Sequence, residues 1–271
     1  MHLTIGRPVG LTLLGVVLAA AQTIRPVFNA FEVAAIKPVR SDDPKAGSYI
    51  RMQSAHRFVV KNYTVNGLVA AAYDLNPRAI SGGPAWSGLD HYDIAAAAPG
   101  DQRPTYDEQM AMLKKLLADR FNFAFHLEKK EFSIYELTVV KGGLKIKTST
   151  APFDEASNVT STLFPASSGG VDHALLPAHN VTMQQFASVL QRAILDRPVV
   201  DKTGISGRYD FDLEWTPGDN EFGGQLPAGP PDSDKPGLFT AVQQQLGLRI
   251  TAARGPLDVL VIDRLDRPSE N

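Results

Sequence analysis

The chain has 271 residues, a net charge of −2 and 44% hydrophobic residues, so it can bury the core of one large domain or two small ones. It contains no cysteine, which excludes a disulfide framework, a thiol nucleophile, a Cys-ligated metal and a lipidated cysteine. The near-neutral charge argues against a dedicated nucleic-acid binder, since such proteins concentrate basic residues on one face.

Residues 1–21 have the pattern of a cleavable signal peptide. Arg7 gives a positive start, and the apolar stretch LTLLGVVLAAA at 11–21 is too short to span a bilayer. Its last small residues suit a cut before Gln22. The alternative is an uncleaved anchor or a buried N-terminal helix. We expect a periplasmic or secreted protein that has no membrane span after cleavage.

The spacing of apolar residues predicts a first α+β unit at residues 29–143. Its predicted elements are a strand at 31–36, a strand at 57–60, a helix at 64–73, a strand at 92–96, a helix at 105–120, a strand at 121–125 and a strand at 132–141. Thr105 and Glu108 fit a capping box at the start of the longer helix. The charged residues 128–131 predict a turn that joins the last two strands as a hairpin.

Two further segments have a loop-like composition. Residues 144–172 hold Gly, Ser, Thr and Pro with few periodic apolar positions, which indicates a linker or a long surface loop. Residues 216–237 form a Gly/Pro-rich loop, and residues 267–271 form a tail.

Residues 173–266 repeat the order of the first unit. The sequence 180–182 (NVT) precedes a helix, as 62–64 (NYT) does, and 209–211 (YDF) corresponds to 92–94 (YDI). We therefore predict an α+β fold of two tandem, internally duplicated strand–helix–strand–helix–strand–strand units that superpose on each other. The alternative is two unrelated α+β halves that share turn chemistry.

Four candidates for a ligand site lie in the first unit. Trp86 and Tyr92 lie around the Gly-rich turn at 81–84, as Tyr73 does, and suit a ligand groove, although aromatic residues near turns more often anchor the loop. His126 and Glu128 share one face of a strand and give a metal ion two ligands, short of the three that a site needs. A surface polar pair is the favoured interpretation, and we assign no metal.

A fifth candidate, Asp201, begins the sequence DKTG at 201–204. This sequence resembles the phosphorylated loop of P-type ATPases, but the other parts of those pumps are not evident. A turn closed by the Asp201 carboxylate, with a positive φ at Gly204, is the favoured interpretation. The letters KTG also occur in penicillin-binding enzymes, which need a Ser-x-x-Lys motif that the sequence lacks. We therefore assign no catalytic residue and no cofactor.

Seven motifs extend over nearly the whole mature chain: FEVAAIKP (31–38), ISGGPAW (80–86), LLADRF (116–121), RPVVDKTG (197–204), GRYDF (207–211), LFTA (238–241) and RPSEN (267–271). Together they resemble a soil-associated bacterial family of exported proteins that is defined by a domain of unknown function. In some relatives a similar module follows a membrane-embedded BlaR-type metallopeptidase. The resemblance implies export and a sensory or binding role outside the membrane, and it implies no catalytic residues.

We expect an exported, non-catalytic binding or interaction protein, and the resemblance implies a sensory role for it. Its partner is an unknown protein or small molecule outside the cytoplasm and not a nucleic acid. The alternative is an extracytoplasmic hydrolase that uses Asp201, His126 or Glu128. A deep pocket in which at least three polar groups converge, these included, favours the enzyme, whereas scattered groups favour the binder.

Overall fold

The computed structural model describes residues 25–39, 47–152, 158–159, 162–165, 171–224, 229–230 and 233–268. The predicted signal peptide lies outside these residues, as do parts of the segments at 144–172, 216–237 and 267–271. The fold is α+β, as the sequence predicts.

Strands and helices follow one another along the chain. The strands are β1 (Val33–Pro38), β2 (Tyr49–Met52), β3 (Arg57–Thr64), β4 (Ile80–Gly82), β5 (His91–Ala97), β6 (Ala124–Val139), β7 (Lys147–Thr148), β8 (Asn158–Val159), β9 (Thr162–Pro165), β10 (Val171–Val181), β11 (Val199–Asp201), β12 (Tyr209–Trp215) and β13 (Leu248–Arg264). The helices are α1 (Val65–Tyr73), α2 (Tyr106–Phe121), α3 (Met183–Val189) and α4 (Leu238–Ala241), with short 3-10 helical segments at Pro77–Ala79, Ala85–Gly88 and Phe222–Gly224. Single π-helical turns extend α3 and α4, at Leu190–Ile194 and Val242–Leu246.

The strands form three sheets. The first has the order β1–β5–β3–β2, and the second has the order β7–β12–β10–β8, with β9 also paired to β10. The third has the order β11–β6–β13–β4. The second sheet thus includes three short strands from the segment 144–172, which has too few periodic apolar residues to predict them.

The third sheet is built on a long two-stranded ribbon, formed by β6 and β13. The two strands pair antiparallel along their whole length, and the segment 128–131 pairs with 256–259. The hairpin turn predicted at 128–131 is therefore wrong. Its charged residues lie in a continuous strand because the middle of the ribbon is solvent-exposed, so their side chains keep their hydration.

The ribbon connects two apolar cores. The first core lies around the first sheet, α1 and α2, and it also takes Leu260, Ile262 and Leu265 from the far end of the chain. The second core lies around the second sheet, α3 and α4, and it takes Leu137 from β6. Because β4 pairs with β13 and β11 pairs with β6, each half of the chain completes the structure of the other.

The two predicted helices of the first unit are present. Thr105 caps α2 in a capping box: its hydroxyl accepts the Glu108 N–H at 3.3 Å, and the Glu108 carboxylate accepts the Thr105 N–H at 2.7 Å. The hydroxyl of Thr64 accepts the Gly67 N–H at 3.1 Å and caps α1.

The two halves share a local geometry at the ends of β3 and β10. Asn62 and Asn180 have φ values of 53° and 55°, and each lies where the strand register shifts. The Asn62 N–H donates to Asp93 at 3.0 Å, and the Asn180 N–H donates to Asp210 at 2.7 Å. These matches fit the predicted repeat, and the superposition of the two halves stays a prediction.

Within the residues described above, no helix has both the length and the apolar character needed to cross a membrane.

Candidate functional site

A cleft of about 740 Å³ lies between the two halves of the chain. β2, the C-terminal end of α1 and the first turns of α2 line one side, and α3 lines the other. Clefts between packed units are the places where ligands most often bind. The lining residues are Ile50, Arg51, Met52, Ala71, Ala72, Tyr73, Asp74, Arg103, Tyr106, Asp107, Gln109, Met110, Lys114, Val159, Thr182, Gln184, Gln185, Ser188, Val189, Arg192 and Arg208.

Three side chains form a polar cluster in this cleft. Asp74 ends α1 with a φ of 57°, a left-handed conformation that aspartate tolerates better than most residues. The buried Ser188 hydroxyl donates to Asp74 Oδ1, and Arg192 Nε donates to Ser188 Oγ at 3.1 Å. Arg192 Nε also lies 3.3 Å from Asp74 Oδ1. The cluster therefore links α1 to α3 and compensates the charge of Asp74 within the cleft.

A pair of buried amides holds the two halves together beside the cluster. Gln191 Nε2 donates to the Asp74 carbonyl oxygen at 2.8 Å, and Asn76 Nδ2 donates to the Gln191 carbonyl oxygen at 2.7 Å. The Val199 N–H donates to Gln191 Oε1 at 3.3 Å. Because buried amides are costly without partners, these bonds fix the relative position of the two sides of the cleft.

Two tyrosines of the cleft make cation–π contacts. The Arg192 guanidinium lies 5.9 Å from the centroid of the Tyr106 ring, and Lys114 Nζ lies 4.9 Å from that of Tyr73. Desolvation raises the pKa of both phenols above the ordinary value of 10.0. Both therefore remain neutral hydrogen-bond donors at neutral pH.

Basic residues outnumber acidic residues in the cleft. The basic residues are Arg51, Arg103, Lys114, Arg192 and Arg208, and the acidic residues are Asp74 and Asp107. Arg51, Arg103 and Lys114 are exposed, and in the described part of the chain none of the three forms an ion pair. The cleft can therefore present positive charge to a molecule that enters it.

Residues 66–265 match the family model described as "Protein of unknown function (DUF3738)". The chain belongs to this family. No curated protein and no solved structure matches the chain. The DUF3738 region contains Asp74, Ser188 and Arg192 as well as all five sequence candidates, whereas Arg51 and the strands β1 to β3 precede it.

None of the five sequence candidates in the DUF3738 region lines the cleft. Trp86 and Tyr92 are both neighbours of Arg267 in the C-terminal segment. The Arg267 guanidinium lies 5.2 Å from the Trp86 ring and is paired with Asp90 at 2.7 Å. Tyr92 is buried against Phe121, and this burial raises its pKa. Both aromatic residues thus pack against the first core.

His126 and Glu128 lie on the exposed ribbon. His126 Nε2 lies 3.1 Å from Glu128, and Nδ1 lies 2.8 Å from Asp263. The hydrogen bond to Glu128, followed by that to Asp263, raises the pKa of His126 above its ordinary value of 6.5. Since the two carboxylates bond opposite ring nitrogens, they do not converge on one point. No group of three or more His, Asp or Glu side chains among the described residues is arranged to hold a metal ion.

Asp201 closes a turn at the end of β11. Its Oδ1 accepts the Thr203 N–H at 2.9 Å and the Thr203 hydroxyl at 2.6 Å, and Gly204 has a φ of 67°. This is the local bonding expected of a structural Asx turn. Val199 and Val200, which precede Asp201 in β11, pair with β6 in the third sheet.

Asp74, Ser188 and Arg192 are not among the site residues that the sequence predicts. Asp74 lies more than a hundred positions before Ser188 and Arg192 in the sequence, and the fold brings the end of α1 to the two of them. One signal was available: Ser188 lies on the apolar face of α3, next to the buried Ala187, and a polar residue at such a position needs a partner.

Proposed function

We propose that this DUF3738 protein is a non-catalytic binding module that acts outside the cytoplasm and holds its ligand in the cleft between its two halves. The observation that carries the proposal is the cleft itself. Its sides are held in place by buried hydrogen bonds, and it offers tyrosine hydroxyls and cations that form no ion pair with a described residue. A preformed concave site with a few polar groups is typical of ligand binding.

The arrangement of Ser188 favours binding over hydrolysis, the alternative function. A serine nucleophile needs a base that can take its proton and a free approach for the substrate. The Ser188 hydroxyl already donates to Asp74 and accepts from Arg192, and its side chain is 5% exposed. No histidine is among the described residues that line the cleft.

Export and a sensory role are further parts of the proposal. The sequence of residues 1–21 supports export to the periplasm or the medium. The resemblance to exported proteins of soil bacteria, whose relatives include fusions to BlaR-type metallopeptidases, supports a module that detects a molecule outside the membrane.

A retention experiment tests the proposed function. The mature protein is incubated with a small-molecule extract of soil-bacterial culture medium and dialysed, and the retained molecules are identified by mass spectrometry. Gln184 lines the cleft on the exposed face of α3, so Gln184→Trp should fill the cleft and release the retained molecule. Gln243→Trp places the same side chain on an exposed helical surface outside the cleft and should retain it.

Two outcomes contradict the proposal. Equal retention by wild type and Gln184→Trp would place the ligand elsewhere. Consumption of the molecule with formation of a product, lost in Ser188→Ala, would instead make the protein an enzyme.

A further inference from the structure

We infer that the ligand of the cleft is a small multivalent anion that carries phosphate or carboxylate groups, an inference that rests on the proposed function. The observation behind it is a set of three cations, Arg51, Arg103 and Lys114, that face a common space without a carboxylate partner in the described residues. We call these three residues the cationic rim.

The cationic rim comes from two different parts of the first half. Arg51 belongs to β2, Arg103 lies before α2, and Lys114 lies on α2. Arg103 Nη2 donates to the Met52 carbonyl oxygen at 3.2 Å, which holds its guanidinium beside β2 and leaves further N–H donors for a ligand. Lys114 is held over the ring of Tyr73. Elements that are distant in the sequence thus direct positive charge to one cleft.

The cluster on the opposite side does not cancel this charge. Asp74 is paired with Arg192 and with the Ser188 hydroxyl, so its negative charge is compensated locally. Arg208 adds a further cation, and its Nη1 donates to the Asn180 carbonyl oxygen at 2.9 Å. Asp107 is the remaining acidic residue of the lining. An anion that enters the cleft therefore meets a positive excess.

The chemistry of these groups selects the class of ligand. Charge-assisted hydrogen bonds from guanidinium and ammonium groups to phosphate or carboxylate oxygens are roughly twice as strong as neutral ones. A neutral sugar would leave three cations without a counter-charge, and a cationic ligand would be repelled. The tyrosine hydroxyls add neutral donors that serve either kind of oxyanion.

Isothermal titration calorimetry with two probes tests the inference. Inorganic triphosphate supplies phosphate groups, and citrate supplies carboxylate groups. We expect the mature protein to bind at least one probe at low ionic strength and to bind it more weakly as salt is added. The triple variant R51Q/R103Q/K114Q should bind that probe at least tenfold more weakly.

A matched variant separates a local site from overall charge. K141Q/R249Q/R254Q removes two arginines and one lysine that are exposed and lie outside the cleft, so it lowers the net charge by the same amount. It should bind the probe as the wild type does. An equal loss of affinity in both triple variants would contradict a site and indicate attraction by net charge alone.

The remaining outcomes separate this inference from the proposed function. If neither probe binds, and the molecule released by Gln184→Trp is neutral or cationic, then the anionic class is wrong and the cleft is still a binding site. If Gln184→Trp releases nothing, the proposed function fails first. Binding of triphosphate alone identifies phosphate as the recognised group, and binding of citrate alone identifies carboxylate.

Discussion

Asp74 combines two roles at the scale of a single residue. Its backbone ends α1, where its N–H is bonded to the carbonyl oxygens of the last turn, and its carboxylate binds Ser188 and Arg192 across the cleft. The first role needs a residue that tolerates a positive φ, and the second needs an acceptor oxygen. Asparagine satisfies both needs without the negative charge, so the roles can be separated by one substitution.

Asp74→Asn should therefore bind the anionic probe more tightly than the wild type. The substitution keeps an acceptor for Ser188 and frees the charge of Arg192 to act on the ligand. The free energy of unfolding should fall by less than about 1 kcal/mol, since the lost ion pair is partly exposed. Calorimetry measures the affinity for the probe, and thermal denaturation measures the change in stability. Weaker binding of triphosphate by Asp74→Asn would count against a cationic site.

A second residue-scale prediction concerns the titration of His126. Its folded-state pKa is raised above 6.5, chiefly by the hydrogen bond to Glu128. Protonated His126 therefore stabilises the folded state below pH 6.5, and this stabilisation is lost as the pH rises through the folded-state pKa. NMR titration of the His126 ring should give a pKa above 6.5, and Glu128→Gln should lower it. Glu131→Gln, on the same strand, is the control and should leave it unchanged.

At the scale of elements, local sequence signals predict the helices, whereas no local signal predicts which distant strands pair with each other. The caps at Thr64 and Thr105 are determined by a few neighbouring residues, so they are visible in the sequence. The continuity of β6 depends on β13, a partner more than a hundred residues away, and the charged segment 128–131 resembles a turn when considered alone. The cleft depends on hydrogen bonds between the end of α1 and the α3 region, which no local pattern encodes.

The two halves have the same local geometry at the ends of β3 and β10, so equivalent substitutions there should cost similar amounts of stability. Asp93 accepts the N–H of Asn62, and Asp210 accepts that of Asn180. Asp93→Ala and Asp210→Ala each leave a backbone donor without its acceptor, and each should lower the free energy of unfolding by about 1–3 kcal/mol.

Urea denaturation measures both losses, and the Asn variants at the same positions keep an acceptor and serve as controls. A large loss at one position and none at the other would contradict the equivalence of the two halves.

At the scale of the whole molecule, the exchange of strands between the halves makes the two cores depend on each other. Leu260 and Ile262 of β13 are buried in the first core, and Leu137 of β6 is buried in the second. A disturbance at one end of the ribbon therefore changes a structure that the other core also needs. Two-state unfolding of the whole chain is the thermodynamic expectation.

Leu260→Ala should shift the unfolding of the second core, although Leu260 belongs to the first. In a Trp86→Phe background the remaining Trp215, which is 0% exposed, reports on the second core by fluorescence. The transition of Trp215 should move to lower urea, with a loss of about 2–5 kcal/mol. Leu127 pairs with Leu260 on the ribbon but is 57% exposed, so Leu127→Ala is the matched control and should cost about 0.5 kcal/mol or less.

If the two cores unfold independently, Leu260→Ala should leave the urea midpoint of the Trp215 fluorescence transition unchanged. The far-UV circular dichroism signal of the variant should then begin to decrease at a lower urea concentration than that of the wild type.

The pairing of β6 with β13 also sets an order of events for the nascent chain. When β6 leaves the ribosome, more than a hundred residues separate it from the strand that will cover its edge, so an early fragment exposes unpaired backbone. Leu260, Ile262 and Leu265 arrive last, and they complete a core whose other members were made first. The first core can therefore be completed only after β13 has been made, and until then the fragment exposes apolar surface that favours aggregation.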